Sequence, residues 1–313
     1  MVGRAEQLAA ICFLTATKRF LRRPSNSNES RRNDKWLQDT GTTVLLAVVG
    51  ILCKEQALTL LPVSIGFQLL AMLEHKKSHH LKLPKKQISK QIIGMATATV
   101  VIGQIRLAIN GRDAWPQFSR FDNPIAYLAG DLKCLNCIRL ALENVRLVLM
   151  PIGLSCDWSH GSLSLINRWT DWLACVSVAV AAFAIYGVMN LAKRLNNRPE
   201  ADHWVVRHKL RKIKQINDLK CYSQTHTQIA KCLLLSGAAY APASNLMINT
   251  GFTLAERTLY TPLVGFCILI GLASDRMWTW STCTQRRPIG IKLTATIWLL
   301  SLATQTYIRS YDW

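Results

Sequence analysis

Two charged residues stand side by side inside an apolar stretch of this sequence. Lys54 and Glu55 lie within the run from 43 to 73, TVLLAVVGILCKEQALTLLPVSIGFQLLAML. A charged side chain at bilayer depth costs about 2.5 to 3.5 kcal/mol on insertion scales, so two in succession require a polar neighbourhood. The pair therefore marks either a candidate functional site or a turn between two membrane segments.

Several other cations also stand near carboxylates at the ends of apolar segments. These are Arg4 with Glu6, the segment 106–127 that contains Asp122, Glu256 with Arg257 near Tyr260, and the segment 156–160 that contains Asp157. Cations can hold a phosphate leaving group while a carboxylate accepts the proton of an attacking hydroxyl, as a polyprenyl-phosphate sugar donor would require. The alternative for each patch is an interfacial salt bridge or a snorkelling side chain that sets helix depth.

The segments that flank Lys54 and Glu55 predict how they are positioned. Seven Lys and Arg precede the apolar run in 18–40 and six follow it in 74–91, so both flanks are expected in the cytosol. An even number of crossings must then lie between them. One straight helix of this length would be about 46 Å long, which exceeds a hydrocarbon core of about 30 Å, so a turn at 53–56 is expected on the lumenal side.

The apolar segments predict an all-α, polytopic membrane protein that forms a single membrane domain over 1–313. Eight crossings are expected, at 5–17, 42–53, 57–73, 92–109, 172–192, 230–247, 259–274 and 291–308. Four basic segments are expected as cytosolic loops, at 18–40, 74–91, 193–229 and 275–292. The N-terminus, 54–56, 110–171, 248–258 and the C-terminus are then lumenal, and all the candidate patches fall on that side.

The segment 133–150 predicts a helix of a different kind. Arg139, Glu143 and Arg146 form one stripe of this helix, and the opposite stripe is apolar. The apolar stripe consists of Leu135, Ile138, Leu142, Val145 and Leu149. This pattern predicts an amphipathic helix that lies at the lumenal membrane surface instead of crossing it.

Charge and cysteine content exclude other classes of function. The net charge is +20, but 26 of the 38 Lys and Arg lie in the four predicted cytosolic loops, without the interleaved aromatic residues of a nucleic-acid surface. No nucleic-acid partner is therefore expected. Most of the ten cysteines lie in apolar spans and suggest no disulfide framework, while Cys134 and Cys137 form one C-x-x-C that suits helix packing, a lumenal disulfide or a functional pair. No metal site is expected.

Six strings, spread over nearly the whole chain, resemble one family of enzymes. They are VGRAEQLAA, ILCKEQALTLL, RLAINGRDAWPQFSRFDNPIAY, MPIGLSCDWSHGSLSLI, APASNLMINTGFTLAERTLYTPLVGFCILI and TYIRSYDW. In this order they resemble the transmembrane and tetratricopeptide-repeat protein O-mannosyltransferases of the endoplasmic reticulum, with a family core at about 100–175. The resemblance implies a GT-C-type membrane domain in the membrane of the endoplasmic reticulum.

The resemblance also implies a reaction and its participants. Mannose would pass from dolichyl-phosphate mannose, a membrane lipid, to Ser or Thr of lumenal acceptors such as cadherin-like domains, without a metal or other cofactor. Glu6 and Asp122 are the candidate catalytic carboxylates. The candidate substrate-binding residues are Arg4, Lys54, Glu55, Asp157, Glu256 and Arg257, with Lys54 and Arg257 assigned to the phosphate.

The chain also departs from the family pattern. Family members carry an earlier helix, an acidic lumenal loop and a His-Pro motif before VGRAE, and tetratricopeptide repeats follow the membrane domain. This chain starts at Met1 inside the first region and ends at Trp313. The expectation is a fragment that does not transfer mannose by itself, and the alternative is a non-catalytic membrane scaffold with the same fold. A transporter is disfavoured because no internal repeat is visible and the charges cluster at one surface.

Overall fold

In the part of the chain that the structure describes, nine α-helices are joined by short 3₁₀ helices and irregular segments. The computed structural model describes residues 2–21, 29–75, 85–110, 118–150, 152–153, 158, 162–196, 212–246, 248–283 and 289–310, and these contain no β-strand. The helices are α1 (Val2–Leu21), α2 (Glu29–Cys53), α3 (Leu60–His75), α4 (Lys85–Asn110), α5 (Gly130–Leu149), α6 (Trp172–Asn196), α7 (Lys212–Tyr240), α8 (Tyr260–Cys283) and α9 (Ile289–Ser310). The predicted all-α class is confirmed.

Each of the eight predicted crossings corresponds to one of these helices. Four segments are long and apolar enough to span a membrane, namely Glu55–Leu73, Gln87–Ile109, Trp172–Asn196 and Glu256–Thr279, and Gln38–Cys53 is a shorter apolar helix. The chain is therefore a polytopic membrane protein. Crossings by α1, α2, α7 and α9, and with them the count of eight, stay predictions.

The helices extend further than the apolar residues that predicted them. Helix α4 begins at Lys85 and α7 at Lys212, so both reach into segments predicted as cytosolic loops. Hydropathy is a poor guide to these ends because a helix is closed by backbone hydrogen bonds, which form equally well in a basic segment. The predicted end of the crossing at 247 is also wrong. Helix α7 ends at Tyr240 because Pro242 lacks the backbone N–H that would continue it, and a 3₁₀ helix, Ala241–Ala243, follows.

The main hydrophobic core joins five helices. Phe13 of α1, Leu60 and Leu61 at the start of α3, Met95 of α4 and Leu235 of α7 are all nearly inaccessible, and Ala47 of α2 packs among them. Helix α8 lies along α7 at close range, since a Cβ added to Gly265 would come within 2.6 Å of the backbone oxygen of Cys232. The packing therefore fixes the N-terminal ends of α3 and α8 against the end of α1.

Helix α5 confirms the helix predicted at 133–150, and its place at the membrane surface stays a prediction. Of the five apolar residues in the predicted stripe only Leu135 is fully buried, whereas Val145 and Leu149 are exposed. Two asparagines lie on the buried side. Asn136 exchanges hydrogen bonds with the backbone of Ile166 at 2.9 and 3.0 Å, and Asn144 donates to the Tyr240 hydroxyl at 2.9 Å. These hydrogen bonds connect α5 to other parts of the chain.

Candidate functional site

The turn predicted at Lys54 is confirmed and has a specific backbone basis. Helix α2 ends at Cys53, Lys54 is extended with φ −154° and ψ 131°, and the 3₁₀ helix Glu55–Thr59 starts the next segment. The chain folds back tightly over Gly50, where an added Cβ would lie 2.7 Å from the Cβ of Ala57. The turn thus places Lys54 at the end of α2, between two helices, and not in the middle of one long membrane helix.

Lys54 lines a cleft together with two other residues that the sequence singled out. The cleft is small, with a volume of about 10 Å³, and it is partly open to its surroundings. Its charged lining residues are Glu6 from α1, Lys54 and Arg257, and Tyr260 and Gln56 add polar groups. The remaining residues are Ala9, Phe13, Ala57 and Thr261. Three predicted site residues that are far apart in sequence therefore meet at one place.

Glu6 and Lys54 form a short and largely buried ion pair in this cleft. The Lys54 Nζ donates to Glu6 Oε1 at 2.6 Å, and the side chains are 26% and 7% exposed. A buried carboxylate is tolerated only when its charge is balanced and hydrogen-bonded, and Lys54 provides both. The ammonium keeps two further donor hydrogens for other acceptors.

Arg257 is positioned by the segment that precedes α8. Ala255 is extended with φ −144° and ψ 120°, and the 3₁₀ helix Glu256–Leu259 leads directly into Tyr260. The guanidinium of Arg257 lies over the Phe252 ring, 5.5 Å from its centroid. This cation–π contact helps to fix the orientation of the guanidinium. The Lys54 and Arg257 sites therefore share one local design, an extended residue followed by a 3₁₀ helix.

Glu55 points away from its sequence neighbour. Its Oε1 accepts a hydrogen bond from Arg106 Nη2 of α4 at 2.7 Å, and the side chains are 67% and 37% exposed. Glu55 does not line the cleft. Lys54 and Glu55, predicted as one patch, therefore belong to two separate ion pairs. The only sequence signal for the pairing of Glu55 with Arg106 is that both residues are predicted on the lumenal side.

Asp122 lies on an exposed loop that is tied to the Arg257 segment. Its carboxylate accepts from the Ser119 hydroxyl at 2.7 Å, and its backbone oxygen accepts from the Thr253 hydroxyl at 3.1 Å. Asp122 is exposed and does not line the cleft. It is linked to the cleft through the chain from Thr253 to Arg257.

A buried asparagine pair locks these two loops together. Asn123 donates to Asn245 at 2.8 Å and to the Thr250 backbone oxygen at 2.7 Å, and both asparagines are inaccessible to solvent. Asn245 has a φ of 58°, a left-handed conformation that asparagine adopts more readily than most residues. The sequence analysis did not identify this pair, although Asn123 before Pro124 is a known turn signal.

The other predicted residues are not brought into the cleft, or lie outside the described part of the chain. Arg4 is exposed on α1, and Glu256 is half-buried in the 3₁₀ helix next to Arg257; neither lines the cleft. Asp157 falls outside the described residues. The cleft also contains Phe13, Gln56 and Thr261, which the sequence analysis missed because nothing in their local patterns distinguishes them from core residues.

Metal and thiol chemistry find little support in the described part of the chain. No group of three or more His, Cys, Asp or Glu is placed there to hold a metal ion. Cys134 is exposed and Cys137 is buried, and both are free thiols. Burial raises the pKa of Cys137 to about 11, so it is a poor nucleophile near neutral pH. Helix packing, one of the alternatives for this C-x-x-C, is the one that the geometry favours.

Comparison with known proteins gives matches to protein O-mannosyl-transferases. The profile described as "Protein O-mannosyl-transferase TMTC, DUF1736" matches residues 112–185. Protein O-mannosyl-transferase Tmtc3 of Drosophila melanogaster is 27% identical over 341 residues, covering 100% of this chain and 33% of that protein. TMTC3 of Homo sapiens is 26% identical, covering 100% of this chain and 32% of that protein, and TMTC2 of Mus musculus is 28% identical, covering 100% and 41%.

The chain spans about a third of the length of the first of these relatives. No solved structure matches it.

Proposed function

We propose, from the relationship of this chain to the TMTC protein O-mannosyl-transferases, that it builds the donor site of a protein O-mannosyltransferase. The donor is dolichyl-phosphate mannose, and the acceptors are Ser and Thr hydroxyls of lumenal proteins such as cadherin-like domains. The site belongs to a GT-C-type membrane domain in the endoplasmic reticulum. The observation that carries the proposal is the cleft in which Lys54 and Arg257 meet beside Glu6.

The cleft has the chemical character that a lipid phosphate requires. Lys54 supplies a compact charge and Arg257 a planar set of donors, which together suit the oxygens of a phosphodiester. Phe13, Ala9 and Ala57 form the buried apolar wall behind these cations, which lowers the local polarity and strengthens their attraction for a phosphate.

The reaction breaks one bond and forms another at the anomeric carbon of mannose. The bond from C1 to the phosphate oxygen breaks, its electron pair stays on the phosphate, and the acceptor hydroxyl oxygen bonds to C1. Lys54 and Arg257 stabilise the charge that develops on the phosphate. The hydroxyl proton passes to a carboxylate, and we assign this role to Asp122, because Asp122 is exposed to an incoming acceptor whereas Glu6 is buried in an ion pair with Lys54.

The test compares two cations that differ in location. The chain is placed in membranes and labelled with a photoactivatable dolichyl-phosphate mannose, with Lys54→Met as the cleft variant and Arg106→Met as the matched control on the exposed pair. Removing a charge-assisted phosphate contact is expected to weaken donor binding about ten- to a hundredfold in the Lys54 variant. The control should bind within about twofold of wild type, because an exposed ion pair contributes little.

Two outcomes would contradict the proposal. The first is equal labelling of wild type and Lys54→Met, and the second is loss of labelling in the control to the same extent. A second readout addresses the base, and its transfer assay uses a full-length relative because this chain is not expected to transfer mannose by itself. Asp122→Asn in this chain should leave donor labelling unchanged, since the carboxylate does not line the cleft. The corresponding substitution in the full-length relative should lower transfer of labelled mannose to an acceptor domain.

A further inference from the structure

Glu6 is an unexpected residue for a cleft that binds an anion. Its carboxylate is 7% exposed and lies 2.6 Å from the ammonium of Lys54, the cation assigned to the phosphate. A cleft that served only to attract negative charge would gain affinity by replacing this carboxylate with a neutral group. The Glu6 carboxylate is therefore expected to have a role other than attracting the anion.

The position of Glu6 affects every anion that reaches Lys54. The carboxylate occupies one side of the ammonium, so a ligand oxygen must bind Lys54 with a second negative charge close by. Charges interact strongly in a partly buried site, and the repulsion grows with each negative charge that the ligand carries. Because Glu6 is buried, water does little to screen this repulsion.

We propose that Glu6 is a specificity-determining residue that shifts the preference of the cleft towards lipid phosphates with a single negative charge. The proposal rests on the proposed function and deepens it. A phosphodiester carries one negative charge, a phosphate monoester carries close to two above its second pKa of about 6, and a diphosphate carries more. Glu6 thus offsets part of the attraction that Lys54 and Arg257 exert, and it does so most for prenyl monophosphates and diphosphates.

This selectivity has a direct use in the reaction. The donor is a phosphodiester, and cleavage of its bond to mannose converts it into a phosphate monoester with additional negative charge. Glu6 repels the product more than the donor, so the cleft releases the product as the charge increases. Donor affinity and product release are then set by the same ion pair.

The experiment measures relative affinities in the full chain. Wild type, Glu6→Gln and Glu55→Gln are reconstituted in phosphatidylcholine nanodiscs at about pH 7.5, where a phosphate monoester is mostly a dianion. Dolichyl methyl phosphodiester, dolichyl phosphate and dolichyl diphosphate then compete with a labelled phosphodiester probe. Glu55→Gln is the matched control, because it removes the same charge from the exposed pair outside the cleft.

The ratio of phosphodiester affinity to dianion affinity in wild type is the reference for both variants. Glu6→Gln should still bind the phosphodiester and lower this ratio about tenfold, because the removed repulsion is larger for the dianion. Glu55→Gln should change the ratio by less than about twofold.

Other results would overturn the inference. An unchanged preference in Glu6→Gln, or an equal change in Glu55→Gln, would show that Glu6 does not set the selectivity. Loss of all binding in Glu6→Gln would show that Glu6 only holds Lys54 in place. If wild type binds none of the three lipids, the proposed function itself fails, which the wild-type arm alone reveals.

Discussion

Lys54 and Glu55 are adjacent in the sequence, yet they belong to two ion pairs in different surroundings. The Lys54–Glu6 and Arg106–Glu55 distances are nearly equal, at 2.6 and 2.7 Å. The acidic partner is 7% exposed in the first pair and 67% exposed in the second. Distance alone therefore says little about what each pair contributes, because the cost of losing a partner depends on whether water can replace it.

The comparison also separates two uses of charge at a membrane surface. The Glu6–Lys54 pair lines a cleft, where the remaining donor hydrogens of the Lys54 ammonium can bind a ligand. The Glu55–Arg106 pair connects the 3₁₀ helix after Lys54 to α4, and neither residue lines the cleft. We therefore expect the first pair to govern stability and binding and the second to contribute little to either.

The largest expected difference concerns stability. Lys54→Met leaves the Glu6 carboxylate buried without its cation and should lower the free energy of unfolding by about 3 kcal/mol. Arg106→Met should lower it by less than about 1 kcal/mol, because the exposed Glu55 can be hydrated. Thermal unfolding in detergent measures both. Adding Glu6→Gln to Lys54→Met should recover most of the loss, and a double variant no more stable than Lys54→Met would break the comparison.

An intermediate effect is expected at the glycine beneath Lys54. Gly50→Ala forces its Cβ to within 2.7 Å of the Cβ of Ala57, which should cost about 1 to 3 kcal/mol and displace the turn that carries Lys54. Gly41→Ala on the same helix meets nothing within 4 Å and should stabilise by about 0.5 to 1 kcal/mol. Thermal unfolding and donor labelling should both decline only for Gly50→Ala. Equal behaviour of the two variants would mean that the turn adjusts freely.

The smallest expected effect is the response of the two pairs to salt. Raising the ionic strength from about 0.1 to 1 M shortens the screening length from about 10 to 3 Å. The coupling energy of Glu55 with Arg106, from a double-mutant cycle, should fall from under about 1 kcal/mol towards zero. The coupling of Glu6 with Lys54 should change much less, since that pair is shielded from the ions. A parallel loss of both couplings would remove the distinction between the pairs.

Much of the fold could be predicted from the sequence, because membrane helices leave a strong hydropathy signal. All eight predicted crossings correspond to helices, and the turn after Cys53 follows from the cost of burying Lys54 and Glu55. The positions of helix ends in the basic segments were less predictable, as Lys85 and Lys212 illustrate. The buried side of α5 was unpredictable for another reason, since Asn136 and Asn144 are buried by partners elsewhere in the chain.

The charged residues of the cleft could be predicted from the sequence, but the ion pairs that they form could not. The sequence identified Glu6, Lys54 and Arg257 by charge type and expected side of the membrane, and these three line one cleft. It could not show that Glu6 binds Lys54 while Glu55 binds Arg106, because both carboxylates fit the same pattern. Only the packing of α1 against α2 decides between them.

The ion pair between α1 and the end of α2 also affects the order in which the protein is built. Its two residues are 48 positions apart, and Arg257 is synthesised about two hundred residues after Lys54. A nascent hairpin that holds Glu6 against Lys54 presents the membrane with a compensated charge instead of two separate ones, which lowers the cost of its insertion. The ion pair can therefore form before α8 brings Arg257 to the cleft.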